Sequence, residues 1–274
     1  MFEHLGCIVK ESRLYFLARN IYYDYKDINY KFDKLIRSIG NNKKYSKLSS
    51  LKNKYTGERC FIVATGPSLT ISDLEKIEGE YSFACNSIVS AYSSTQWRPT
   101  FYGVQDVGVF EKVKNSIKTN DYDYIFVSSL IKDKSMDETV VRYPLNLMGH
   151  TVALFNNNIE KVKYGFSENC ALEVTDGFSI TYSLFQLAIY MGFREIYFLG
   201  QDCNYNSNPE KQHFMGDKSS QKFNPHWQQT GKLICNAFEA SKKYCEDNGI
   251  KVFNTTRGGM FEVFPRVELE EVIR

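Results

Sequence analysis

The stretch from Phe178 to Asp202, FSITYSLFQLAIYMGFREIYFLGQD, constrains the fold more than any other. Phe178–Met191 is almost free of charge, so a helix formed there must be buried on both faces. Gly192 ends it, and Glu195–Leu199 (EIYFL) reads as a strand that stops at Gly200-Gln201-Asp202. Similar short apolar runs occur at Cys60–Thr65, Tyr81–Cys85, Thr100–Val104, Asp123–Ser128 and Lys251–Asn254, separated by segments long enough for helices. Strands alternating with helices predict βαβ units: a Rossmann-like α/β fold, mainly parallel, with helices on both faces. In such sheets ligands bind beyond the carboxyl ends of the strands. Gly66–Ser68, Asn86, Asp106 and Gln201–Asn204 are therefore expected on one rim.

Composition agrees with a folded domain. Of 274 residues 43% are apolar and 24% charged, and six Pro and 17 Gly follow no period, which excludes collagenous and disordered readings. No apolar run approaches the ~20 residues that span a bilayer. Charges at Glu3, Lys10, Glu11 and Arg13 interrupt any leader-like pattern. The seven Cys are odd in number and lack a CxxC pair. The expectation is reduced thiols in a cytoplasmic protein.

The formal charge of +2 hides an asymmetry, because residues 1–60 hold 13 Lys/Arg against six Asp/Glu. That part is also rich in aromatics. Residues 11–39 read as a helix, with Leu14, Leu17, Ile21, Ile28, Phe32, Leu35 and Ile36 near helical spacing. Residues 1–59 are thus expected to form a helical extension and linker, and 60–274 the catalytic domain. The extension can pack on the main domain with a solvated basic face, or touch an anionic membrane surface or a partner. A second copy of the chain is a candidate partner. Nucleic acid is not, since no reading motif accompanies the charge.

Several rim residues suit the binding of an activated nucleotide. Thr65-Gly66-Pro67-Ser68 ends a strand and opens a helix, where backbone N–H groups and the helix dipole attract phosphate. Neither GxxxxGK[ST] nor GxGxxG is present. Asn86 and Asp106 follow neighbouring strands and can hold sugar hydroxyls or cap the next helix. Gly200, Gln201, Asp202 and Asn204 form a second bend, with Tyr205 as a donor to a leaving phosphate. Ser179 and Thr181 open the buried helix, and Arg257 offers a guanidinium for phosphate or carboxylate. His213, in a polar loop, and His226, before a helix, are the candidate general bases.

The order of motifs ATGPSL, FACN, GFSITYSLFQLAIYMGFREIYFLGQDCNYN, QHF and KVFNTTRGGMFEVFPRV resembles a domain shared by motility-accessory-factor glycosyltransferases and 6-hydroxymethylpterin pyrophosphokinases. It is also similar to the family 42 sialyltransferases. The likeness spans roughly residues 60–267. It implies a glycosyltransferase that moves a nonulosonic (sialic-type) acid from a CMP-sugar donor to a hydroxyl of a glycan or lipid-linked glycan, in surface-polysaccharide or glycoconjugate assembly, without a metal. The glycine turn, Asn86 and the Asp202 loop would then hold the donor, and a His would deprotonate the acceptor. Thr65 departs from the Asn of the sialyltransferase GNGP pattern, and Cys203-Asn204 from its Phe-Tyr. The alternatives are an ATP- and Mg²⁺-dependent pyrophosphokinase and a non-catalytic scaffold of a glycan-assembly complex.

Overall fold

The computed structural model describes residues 13–40, 42–133, 139–147, 149, 162–204, 214 and 227–273. Tyr205, His213 and His226 lie outside the described residues, so their expected roles stay with the sequence. The chain divides into two compact units, Met1–Lys43 and Lys44–Arg274. The first holds one long helix, α1 (Arg13–Ser38), within the span expected from its apolar spacing.

The second unit is built on a parallel sheet. Its strands are β1 (Arg59–Val63), β2 (Ser82–Cys85), β3 (Phe101–Val104), β4 (Tyr124–Ser128), β5 (Val140–Tyr143), β8 (Glu195–Leu199) and β9 (Lys251–Asn254). Their order is β5-β4-β3-β2-β1-β8-β9, parallel at every pairing. A separate two-stranded ribbon pairs β6 (Leu145–Asn146) with β7 (Val174–Thr175). The chain runs outward from β1 to β5 and then returns to the other side of β1. Strand order thus reverses between β1 and β8, which is where an open α/β sheet leaves a crevice at its carboxyl edge.

Strand residues alternate between two cores, as period-2 side chains must. On β1, Cys60 and Ile62 belong to one core and Phe61 and Val63 to the other. The first core is covered by α5 (Ile180–Met191), buried at every position, and by Ile234, Ala237 and Phe238 of α6 (Trp227–Asp247). The second takes Leu74 of α3 (Ile71–Lys76) and Phe110 of α4 (Val107–Val113), with Leu269 of the closing α7 (Leu269–Val272).

The segment 41–58, expected as a polar linker, is largely structural. Tyr45, Leu48, Leu51 and Tyr55 are buried, the last three in the first core. Tyr55 stacks on Phe193 at 5.1 Å, and its N–H donates to the Met191 carbonyl at 2.8 Å. Four apolar residues spaced three and four apart across a short helix, α2 (Ser46–Ser49), outweigh the Lys and Ser between them.

Candidate functional site

The bends after β1 and β8 meet at the reversal point. The Gly66 N–H donates to the Gly200 carbonyl at 2.9 Å, and the Ser68 Oγ donates to Asp202 Oδ2 at 2.8 Å. A β-carbon on Gly66 would fall well inside contact distance of Asp202 Oδ2 and the Gly200 oxygen, so only glycine permits this approach. Gly200 itself has φ +68°, with a β-carbon position 2.9 Å from the Ala64 oxygen. The segment after β9 closes the arrangement. Thr256 Oγ1 accepts from the Gln201 N–H at 2.9 Å, and the Asp202 carbonyl accepts from the Met260 N–H at 2.7 Å. Behind it Phe261 packs against Phe198 and Phe238 at 5.2 and 5.0 Å.

These contacts frame a cleft of about 520 Å³, part of it continuous with solvent. Of the expected residues, Thr65, Gly66, Pro67, Asn86, Ser179, Thr181, Gly200, Gln201, Asp202 and Asn204 line it together. A second lobe of about 870 Å³, likewise continuous with solvent, shares Asn86, Ser179 and Ile180 and continues past Gln105, Asp106, Asp176 and Phe178. Asp106 lines this lobe while capping α4, its Oδ1 accepting from the Val109 N–H at 2.9 Å.

Two expectations change on this geometry. The Gly-Pro-Ser bend does not present a row of N–H donors, because they are engaged within the protein. Gly66 N–H goes to Gly200, Leu69 N–H to the Gly66 carbonyl, and Ser68 N–H and Oγ–H both to Asp202. Its contribution is close packing. The N-terminus of α5 also opens on the cleft, where Ser179 caps the helix, its Oγ accepting from the Thr181 N–H at 3.3 Å and lying 2.8 Å from Thr181 Oγ1. Arg257 is not among the residues lining the cleft. It pairs with Asp73 at 2.8 Å through one nitrogen and through a second contact to Oδ2, and it reaches the Ser68 carbonyl. Asp73 is almost fully buried, and a buried carboxylate takes the nearest cation because leaving it unpaired is costly.

Charge states follow from these bonds. Burial raises the Asp202 carboxyl above its ordinary value, against the pull of the two Ser68 hydrogen bonds. For Asp73, burial also pushes upward, but the Arg257 and Thr70 bonds outweigh it and hold the carboxyl below the ordinary range. The neighbouring thiol of Cys235 on α6, together with burial, raises Cys203, and the same interaction lowers Cys235, whose Sγ donates to the Met260 carbonyl at 3.8 Å. The Gln201 Oε1 is buried without a hydrogen-bond partner, while its Nε2 donates to Cys203 Sγ at 3.2 Å.

Backbone strain gathers at the same place. Among the described residues, non-glycine left-handed conformations occur at Asn53, Asn86, Phe178 and Cys203, and the last three line the cleft or its second lobe. Strain of this kind costs about 1–3 kcal/mol per residue and persists where surrounding structure fixes it, often at functional sites.

Sequence reasoning missed Gln105 and Asp176. Gln105 Nε2 donates to Asp176 Oδ1 at 2.8 Å, and its Oε1 accepts from Ser183 Oγ at 2.6 Å and Tyr143 Oη at 3.3 Å. The available signal was position: Gln105 follows a strand directly, and Asp176 stands just before the apolar run of α5. Among the described residues no group of three or more His, Cys, Asp or Glu side chains is placed to hold a metal ion. Asp106 and Asp202, the two carboxylates expected on the rim, line different lobes.

Comparison with known proteins adds a family. The family model described as 6-hydroxymethylpterin diphosphokinase MptE-like matches residues 33–208. No curated protein matches the chain. Among solved structures, the MAf glycosyltransferase from Magnetospirillum magneticum AMB-1 is 15% identical with a TM-score of 0.49. The match covers 85% of this chain and 39% of that one, so the chain spans well under half of that enzyme's length. The sialyltransferase CstII from Campylobacter jejuni, solved with the substrate analogue cytidine-5'-monophosphate, is 14% identical with a TM-score of 0.45. That match covers 77% of this chain and 85% of the sialyltransferase.

Proposed function

The chain belongs to the 6-hydroxymethylpterin diphosphokinase MptE-like family, and from that premise we propose that it is a transferase acting on a nucleotide-activated donor held at the β1/β8 crevice. The finer reading is a glycosyltransferase that moves a nonulosonic acid from its CMP conjugate to a glycan hydroxyl. The observation that carries it is the meeting of the Gly66 and Gly200 bends, Asn86 and the α5 N-terminus around one cleft, with a second lobe beside it. The family match ends at residue 208, yet Thr256 and Met260 from the Asn254–Val267 segment complete the Asp202 bend. That segment carries the last of the motifs that the glycosyltransferases and the pyrophosphokinases share.

In this reading the donor phosphate lies against Ser179, Ile180 and Thr181, where the helix dipole stabilises the charge that develops on departure. The acceptor occupies the second lobe beside Gln105, Asp106 and Asp176. Its hydroxyl oxygen attacks the anomeric carbon, the bond from that carbon to the phosphate oxygen breaks, and CMP leaves. The hydroxyl proton passes to a base, for which His213 is the first candidate and His226 the second. Tyr205 is the candidate donor to the leaving phosphate. Phe214, which follows His213 in the chain, donates its N–H to the carbonyl of Thr65, a residue that lines the cleft, at 2.8 Å. A hydroxyl brought to a fixed donor gains most of its rate from positioning.

The family match favours a second reading, transfer of a diphosphate from ATP to a pterin-like alcohol. Incubation with a CMP-nonulosonic acid and a glycan acceptor, in parallel with ATP, Mg²⁺ and a hydroxymethylpterin, separates the two. Release of CMP with a new glycoside is expected. Release of AMP in the second mixture alone would overturn the glycosyltransferase reading.

A further inference from the structure

The α1 helix carries an apolar stripe that its own sequence leaves uncovered. Ile21, Tyr25, Ile28, Phe32, Leu35 and Ile39 are each between 55% and 71% exposed. Their spacing alternates four and three, so that Ile21, Ile28 and Leu35, like Tyr25, Phe32 and Ile39, recur every seven residues, and in sequence the alternation continues back to Ala18 and Leu14. A stripe of period 3.5 remains on one side only if the helix winds around another helix, so the pattern points to a coiled coil. A helix lying in a membrane interface needs a wider apolar arc at period 3.6. The intervening Asp24, Asp27 and Asp33 also dilute the basic face, and Asp27 pairs with Lys31 at 2.6 Å.

We infer that α1 pairs antiparallel with α1 of a second copy of this chain. Charge placement selects both the occupant and the orientation. The stripe itself carries no charge, and on the flank that precedes Tyr25 and Phe32 stand Asp24 and Lys31, one heptad apart and opposite in sign. In an antiparallel pair that flank faces its own counterpart. When Tyr25 packs on Ile28 of the second copy and Ile21 on Phe32, Asp24 faces Lys31 and, by the two-fold axis, Lys31 faces Asp24. Lys31 pairs with Asp27 on its own helix yet leaves 72% of its side chain exposed, so it can bridge both carboxylates. A parallel pair would set Asp24 near Asn29 and Lys31 near Ile36. It would also stack Tyr25 on Tyr25 and Phe32 on Phe32, where parallel dimers favour β-branched residues. The antiparallel register instead places an aliphatic side chain against each aromatic one.

Sedimentation equilibrium on the full chain tests this. Twice the chain mass is expected, falling to a single mass in an Ile28→Glu/Phe32→Glu variant whose substitutions are at exposed positions. Asp24→Lys replaces two attractive contacts by two repulsive ones and should weaken the dimer about tenfold. The double exchange Asp24→Lys/Lys31→Asp should restore it. A single mass at micromolar concentration would overturn the inference, and so would a dimer indifferent to the charge exchange. A monomer that pellets with phosphatidylcholine–phosphatidylglycerol vesicles would assign the stripe to a membrane surface instead.

Discussion

Asp73 and Arg257 show how a residue that looks functional in sequence becomes structural in space. A guanidinium after a strand end reads as a phosphate ligand, yet it neutralises a carboxylate that α3 buries through its own capping box with Thr70. A buried acid left without its partner costs about 1–3 kcal/mol. Arg257→Gln is therefore predicted to lower stability at neutral pH by roughly that amount. The pH dependence has a definite sign. Asp73 is held below its unfolded value, so its contribution is present above that value and fades as pH falls through the lower folded one. Thermal unfolding followed from neutral pH down to about 3 should show the variant's deficit largest at neutral pH and shrinking as Asp73 becomes protonated, so that the two profiles converge in acid. Identical profiles would mean that the ion pair contributes nothing.

At the level of elements, α5 both fills the core and opens toward the cleft, with Ser179 capping its first turn and Gly192 its last. Ser179→Ala should cost about 1 kcal/mol in stability. It should also weaken nucleotide binding, because the cap hydroxyl and Thr181 face the cleft. Thr70→Ala removes the comparable cap of α3 outside the cleft lining and should destabilise without changing affinity. Equal affinity loss in both variants would remove the helix terminus from the account. This helix was legible in the sequence because an uncharged run ending in Gly has few other fates. The Gly-Pro-Ser bend was legible as a bend but not in its role. Which N–H groups a turn exposes depends on Gly200 and Asp202, more than 130 positions away, and no local pattern reports that pairing.

Across the whole molecule, the strands β1, β2, β3, β4, β8 and β9 were readable because each is a short apolar run between turn residues. β5 was not, since Arg142 interrupts it, and neither were the two-residue β6 and β7. The core role of Tyr45–Tyr55 was hidden by the lysines and serines around it. Strand order, and hence the reversal at β1/β8, comes from long-range pairing that periodicity does not encode. That reversal gives the crevice, and the crevice gives the claim that a nucleotide-activated donor is gripped there. Thermal denaturation with CMP, CDP, UDP and ATP–Mg²⁺ tests it most directly, since a ligand at a hundred times its Kd adds about 2.7 kcal/mol to stability. A rise in Tm with CMP is expected, diminished in Ser179→Ala. A response to ATP–Mg²⁺ without one to CMP, or to no nucleotide, would contradict it.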